Sequence, residues 1–284
     1  MTFTALPSPM IWAAARPTTA MTRAFSSEFA ILLAAALLGG LAIIPYSVRL
    51  FTSSQHKPLK FPLPTLLLLS FFQTAILSAL AIGVGFWAAH AIGLGAPYIE
   101  AGLASTGSKQ AVVQMLLPAI GLGVLSGVVL LLLDLFFLRY WPPELVDFAQ
   151  RTTLWENFLA SFYGGINEEI FMRLFGFSVL TWLLSRVWHT PAGLPTDAVL
   201  WTANVIMAVL FGLGHLPATK KLLGSIPPPM VIRALLLNTP IGLMCGWLFW
   251  TYGIEAAVLA HFSADIVYHV AGTIVLRSKL RAKR

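Results

Sequence analysis

Asn167-Glu168-Glu169-Ile170-Phe171-Met172-Arg173 sets two adjacent carboxylates and a guanidinium in a chain that is 58% hydrophobic and only 10% charged. Soluble domains carry about 25% charged residues. Here long apolar runs flank the stretch, and a run of about 20 such residues is enough for a helix to span a bilayer. A charged side chain at mid-bilayer costs roughly 2.5–3.5 kcal/mol even on insertion scales. Three charges within seven residues therefore need partners or a task.

Working outward, the apolar run that carries this stretch covers 158–188. Before it lie runs at 28–46, 65–91 and 111–138; after it lie 197–215, 230–252 and 254–276. The reading is an all-α, polytopic transmembrane helical bundle of seven spans. An eighth would appear if 145–188 or 226–252 divides. Residues 144–156 are the most polar part and show a loosely helical apolar face. They read as an amphipathic helix lying on the membrane surface ahead of the motif helix. The domain reading is a flexible, acid-free leader over 1–27, N-terminal transmembrane helices over 28–144, a catalytic helical core over 145–276 and a basic cytoplasmic tail over 277–284.

The net charge of +7 sits in loops and tail: Lys57 and Lys60, Lys220 and Lys221, then Arg277, Lys279, Arg281, Lys283 and Arg284. This distribution suits anionic headgroups of a lipid bilayer rather than nucleic acid, and it places the C-terminus in the cytoplasm. The single cysteine, Cys245, excludes an internal disulfide framework and a cysteine-based zinc cage. It reads as a core residue. Gly242-x-x-x-Gly246 is a pattern for close helix packing.

Few polar residues lie inside the spans. Glu169 and Arg173 are four apart, share a helix face and can pair. Glu168 is rotated by roughly 100° from Glu169, so Arg173 cannot serve both. That leaves Glu168 as the candidate general base. His215 closes the fifth span behind Gly212 and Gly214. His261, Asp265 and His269 form a stripe at intervals of four, in which Asp265 can orient the His261 ring and fix its tautomer. Together these groups can converge on one water, with imidazoles to bind a metal or to donate to an oxyanion. No His-Glu-x-x-His motif, Gly-x-Ser-x-Gly elbow or phosphate-binding loop occurs. Depth poses a condition. His261 lies seven residues into a helix entering from the outer side, roughly 10 Å deep. Convergence with Glu168 and His215 requires a cavity that reaches mid-bilayer.

Glu168-Glu169-x-x-x-Arg173, Phe211-x-x-x-His215 and His261-x-x-x-Asp265, in that order on separate apolar helices, resemble the motif set of the CPBP intramembrane endopeptidases, the type II CAAX prenyl endopeptidase and bacteriocin-processing (Abi) family. The likeness covers roughly 145–276. It implies a membrane-embedded endopeptidase acting on membrane-associated or prenylated proteins or peptides, in a bacterial inner membrane. It further implies that Glu168 and His215 activate the water, that His261 and residue 265 stabilise the oxyanion, and that Glu169 and Arg173 support them. The family's last motif often has asparagine; this chain has Asp265, which donates a hydrogen bond only when protonated. It is then a neutral acid, an orienter of His261 or a metal ligand. The cofactor reading is none required, with Zn2+ held by His215 and His261, and Glu168 as third ligand, as the alternative. An ion-coupled transporter using the buried charges, or a catalytically silent immunity or scaffold protein of the same fold, are the rival functions. Paired broken helices would mark the first and a damaged motif the second.

Overall fold

The computed structural model describes residues 18–53 and 61–281. Helix α1 (Thr18–Ala42) leads into α2 (Ile44–Ser53), α3 (Leu63–Ala91), the short α4 (Pro97–Leu103), α5 (Lys109–Phe137) and α6 (Pro143–Arg151). Residues 154–185 then form one rod: α7 (Leu154–Phe162), two wider π-helical stretches (Tyr163–Glu168 and Ile170–Phe177) and α8 (Ser178–Ser185). α9 (Asp197–Gly214), α10 (Leu216–Leu223), α11 (Pro228–Tyr252) and α12 (Ile254–Asp265) follow. A third π stretch (Ile266–Ala271) joins α12 to α13 (Gly272–Arg281). The expected all-helical bundle is what forms, and a lone bridge between His189 and Pro195 is the one β feature among the described residues.

Among the described residues, six helical segments are long and apolar enough to cross a membrane: Phe25–Ser53, Leu63–Ala91, Lys109–Tyr140, Asp197–Leu223, Pro228–Tyr252 and Ile254–Leu280. The rod at 154–185, which carries Glu156, Glu168, Glu169 and Arg173, is a further long helical segment outside those six. It lies at the centre, with Ile170, Leu174 and Phe177 buried, and it contacts α1, α3, α9, α11 and α12. Outward-facing Leu69, Phe72, Ile76, Leu80 and Trp87 on α3 are exposed. Such a stripe suits acyl chains and not water.

Several boundaries move. The amphipathic helix expected over 144–156 ends at Arg151. Thr153 starts a new helix instead: its hydroxyl accepts from the Glu156 N–H at 3.4 Å, and the Glu156 carboxylate accepts from the Thr153 N–H at 2.6 Å. This reciprocal capping box transfers Glu156 to the motif rod and starts that rod four residues before the expected 158. The expected tail is helical as far as Arg281, because Leu276 and Leu280 are buried with Leu138. Residues 18–27 of the expected leader belong to α1. Residues 1–17, Lys57, Lys60, Lys283 and Arg284 lie outside the described residues.

Helix directions alternate, so the bundle has two ends. Tyr46, Asp134, His215, Arg233 and Arg277 share a cavity at the C-terminal end. Glu28, His90 and Glu100 gather at the other. The Gly242-x-x-x-Gly246 pattern does serve close packing: a Cβ at either glycine would strike Ala208 or Asn204 on α9.

Candidate active site

The motif rod delivers its two carboxylates to different surroundings. The Glu169 side chain is fully buried, whereas that of Glu168 is 27% exposed. Glu169 Oε1 accepts from Arg173 Nη1 at 2.9 Å and from His261 Nδ1 at 2.6 Å. Arg173 Nη2 donates to the Gly242 carbonyl of α11 at 3.0 Å. A buried guanidinium thus finds two partners, as burial of a charge demands.

Glu169 paired with Arg173 can only accept, so the His261 Nδ1 carries the hydrogen. Nε2 is then the atom His261 presents to the cavity, 3.9 Å from Glu168 Oε2 and 3.7 Å from Asp265 Oδ1. Of the three roles open to Asp265, orienting the ring through Nδ1 falls to another residue. The orienting carboxylate is Glu169, from a helix 92 residues away in the chain. Asp265 Oδ1 lies instead between His261 and His269, 3.7 Å from each Nε2. Gly164 makes room for it: a Cβ there would run into Asp265 Oδ2 and stand 3.5 Å from His261 Nε2.

His215 caps α9, and its Nδ1 donates to the Phe211 carbonyl at 2.9 Å. The Phe211 ring meets His215 edge-on at 4.9 Å and His261 edge-on at 5.6 Å, with the Arg173 guanidinium 5.0 Å from its centroid. His215, His261, Asp265 and His269 line a cavity of about 250 Å3 that runs out to Tyr46, Leu145 and Arg277 at the C-terminal end. The cavity reaches inward to His261, and Glu168 Oε2 stands 3.9 Å from His261 Nε2.

Sequence reasoning missed three of the cavity's polar residues. Arg233 donates to Asp134 through Nε at 2.6 Å and Nη2 at 2.7 Å, and the Tyr268 hydroxyl donates to Asp134 at 2.6 Å. Arg233 stands one turn inside an apolar run, which was its only signal. Asn157 donates to the His269 carbonyl and to Thr273, each at 2.8 Å. Its position one residue after the capping-box glutamate hides it.

A catalytic zinc was one expectation. The expected set of Glu168, His215 and His261 does not bring its ligand atoms within 4.8 Å of one another; among the described residues the grouping here is Glu169, Cys245 and His261. In that grouping Glu169 already holds Arg173 and His261, and a guanidinium beside the ligand carboxylate opposes a dication. Cys245 is buried in the core, with its thiol toward the Ala257 carbonyl. The expected set is thus not gathered as a zinc site, and the grouping that is gathered has a guanidinium on its carboxylate.

Residues 150–267 match the family model described as type II CAAX prenyl endopeptidase Rce1-like. No curated protein and no solved structure matches the chain. The matched segment holds Glu168, Glu169, Arg173, His215, His261 and Asp265 within a bundle of membrane-crossing helices, and residues 150–267 are thus a domain of the CPBP, or type II CAAX, protease family.

Proposed function

We propose that this protein is an intramembrane endopeptidase that hydrolyses peptide bonds of membrane-associated or prenylated CAAX-type proteins by a metal-free, carboxylate-activated water. The observation that carries the reading is the His261 ring. Its Nδ1 is committed to Glu169, which leaves Nε2 toward the cavity, 3.9 Å from Glu168 and 3.7 Å from Asp265.

Glu168, the more accessible carboxylate, takes a proton from the water, with His215 Nε2 helping to hold that water in place. The water oxygen attacks the scissile carbonyl carbon. A protonated His261 donates from Nε2 to the oxyanion that forms, and Asp265 donates beside it as a neutral acid. Collapse breaks the C–N bond, and the proton held by Glu168 passes to the departing amine. With Glu169 orienting His261, and with Asp265 outside the metal groupings, the neutral acid is the role left to Asp265 of the three the sequence allowed. The apolar mouth of the cavity at Tyr46, Leu50, Leu145 and Phe148 suits a hydrophobic or lipid-linked substrate. The basic residues Lys220 and Lys221 at the same end support a mouth that opens to the cytoplasm.

The test is cleavage of a fluorogenic prenylated peptide, and of its unprenylated counterpart, by purified protein in detergent. Glu168→Ala and His261→Ala are expected to lose on the order of 10²–10⁴-fold in rate, and His215→Ala a similar amount. Cleavage that survives Glu168→Ala would remove the mechanism.

A further inference from the structure

One charged cluster in the cavity takes no part in the chemistry of Glu168 and His261. Asp134 comes from α5, Arg233 from the second turn of α11 and Tyr268 from the third π stretch. The Asp134 side chain is fully buried. Its Oδ1 accepts from Arg233 Nε at 2.6 Å and from Trp141 Nε1 at 3.3 Å. Its Oδ2 accepts from Arg233 Nη2 at 2.7 Å and from the Tyr268 hydroxyl at 2.6 Å. Two bonds on each oxygen fill a carboxylate.

Arg233 is not filled in the same way. A guanidinium carries N–H donors on all three nitrogens. Nε and Nη2 hold Asp134, and Nη2 also donates to the Tyr268 hydroxyl at 3.0 Å. Nη1 has no hydrogen-bond partner among the described residues, so its two N–H donors stay open. The side chain is 20% exposed and lines the cavity. With Asp134 and Tyr268 enclosing the rest of the fork, Nη1 is the edge that a bound molecule meets.

The surroundings fix that edge and give it a sign. The two-point pairing with Asp134 sets the plane of the fork, and the Trp141 ring lies 5.3 Å from the guanidinium carbon. The Asp134 carboxylate sits behind the guanidinium, so the side turned to the cavity is positive. Such an edge favours an anionic oxygen, and carboxylates match the geometry of arginine. Tyr268 follows His261 by seven residues, roughly 10 Å along the helix. An extended chain rises about 3.3 Å per residue. One bound peptide can therefore reach Arg233 a few residues from the bond being cut.

We propose that Arg233 selects the substrate: its Nη1 receives a carboxylate of the bound peptide, while Asp134, Tyr268 and Trp141 hold the guanidinium in place. This rests on the endopeptidase reading above and adds to it a charge that the substrate must carry. A peptide has two sources of that charge, its free C-terminus and an acidic side chain, and both offer the same pair of oxygens.

The test compares three prenylated fluorogenic peptides on the full-length protein in detergent. They share one sequence without other acidic residues: one ends in a free carboxylate, one in an amide, and one in an amide with glutamate as its last residue. Wild type is expected to prefer a carboxylate-bearing peptide over the plain amide on the order of 10–100-fold in kcat/KM, as one hydrogen bond to a charged group allows. The difference should lie in KM, because the contact is made before and during the reaction alike. Preference for the free acid alone assigns the C-terminus; recovery by the glutamate amide assigns a side chain. Arg233→Gln combined with Asp134→Asn leaves no buried charge unpaired and is expected to bring the KM values of acid and amide together. Where that pair of changes fails to elute as the wild type does, Arg233→Lys decides, because a single ammonium cannot hold Asp134 and present a second edge; it is expected to lose most of the preference. Equal KM values of the wild type for all three peptides would overturn the proposal, as would equal losses on acid and amide in the Arg233 variants. Fluorescence anisotropy of the same peptides on Glu168→Gln protein separates the two readings. Acid-selective binding without turnover in the wild type would remove hydrolysis and keep Arg233, and turnover without acid preference would do the reverse.

Discussion

Glu169 receives Arg173 and His261 on a single oxygen, so two functions rest on one atom. One is stability: removing a partner from a buried pair costs about 3–5 kcal/mol. Arg173→Ala is expected to destabilise the protein by about that much in denaturant titrations, and a loss below about 1 kcal/mol would contradict the pairing's role. The other is the aim of His261. Asp265 offers a separate test, because it can donate only while it carries a proton. Activity of the wild type should then fall on the alkaline side as Asp265 ionises. Asp265→Asn donates at every pH, so the alkaline limb of its rate–pH profile should shift to that of His261 alone while cleavage persists. An unchanged limb would mean that another group titrates there.

Among the elements, the π-helical stretches matter most. Two of them bracket Glu169 in the motif rod, and a third begins directly after Asp265. Such segments recur at functional sites, because the wider winding re-aims side chains and loosens backbone pairing. Asn157 donates to the His269 carbonyl inside the third stretch, which compensates one such backbone group. In the first stretch Gly164 brings the rod against Asp265. Gly164→Ala would push that carboxylate aside. The expected result is a fall in kcat on the order of 10²-fold with the thermal midpoint nearly unchanged. Equal losses in both would instead mark a packing role.

At the scale of the whole molecule, seven rods carry the chain from one end of the bundle to the other, with the cavity at the C-terminal end. Cysteines introduced at Lys220 and Ser105 report on the two ends, and the buried Cys245 stays silent to membrane-impermeant maleimide. Lys220→Cys is expected to label only after the cells are opened, and Ser105→Cys in intact cells. The reverse pattern would invert the orientation. Glu255 braces α12 at its start through the Tyr98 and Ile99 N–H groups, while Glu169 braces it at His261.

Composition and periodicity alone determined that this chain is a helical membrane bundle, because uninterrupted apolar runs of about 20 residues suit spanning helices, whereas barrel strands would alternate apolar and polar residues. Relations four residues apart were equally legible. The Glu169–Arg173 pair and the His261–Asp265–His269 stripe follow from helical geometry, and both are present. The Thr153–Glu156 capping box was also written in the sequence, and it sets the boundary that hydrophobicity misplaced. Only the tertiary structure decided which carboxylate orients His261, that Arg233 and Tyr268 join Asp134, and that Glu28, His90 and Glu100 meet. Each of these contacts depends on the relative height and rotation of separate helices. Those are set by packing across the whole bundle, down to the glycines at 164, 242 and 246 that let backbones approach, and no local spacing encodes them.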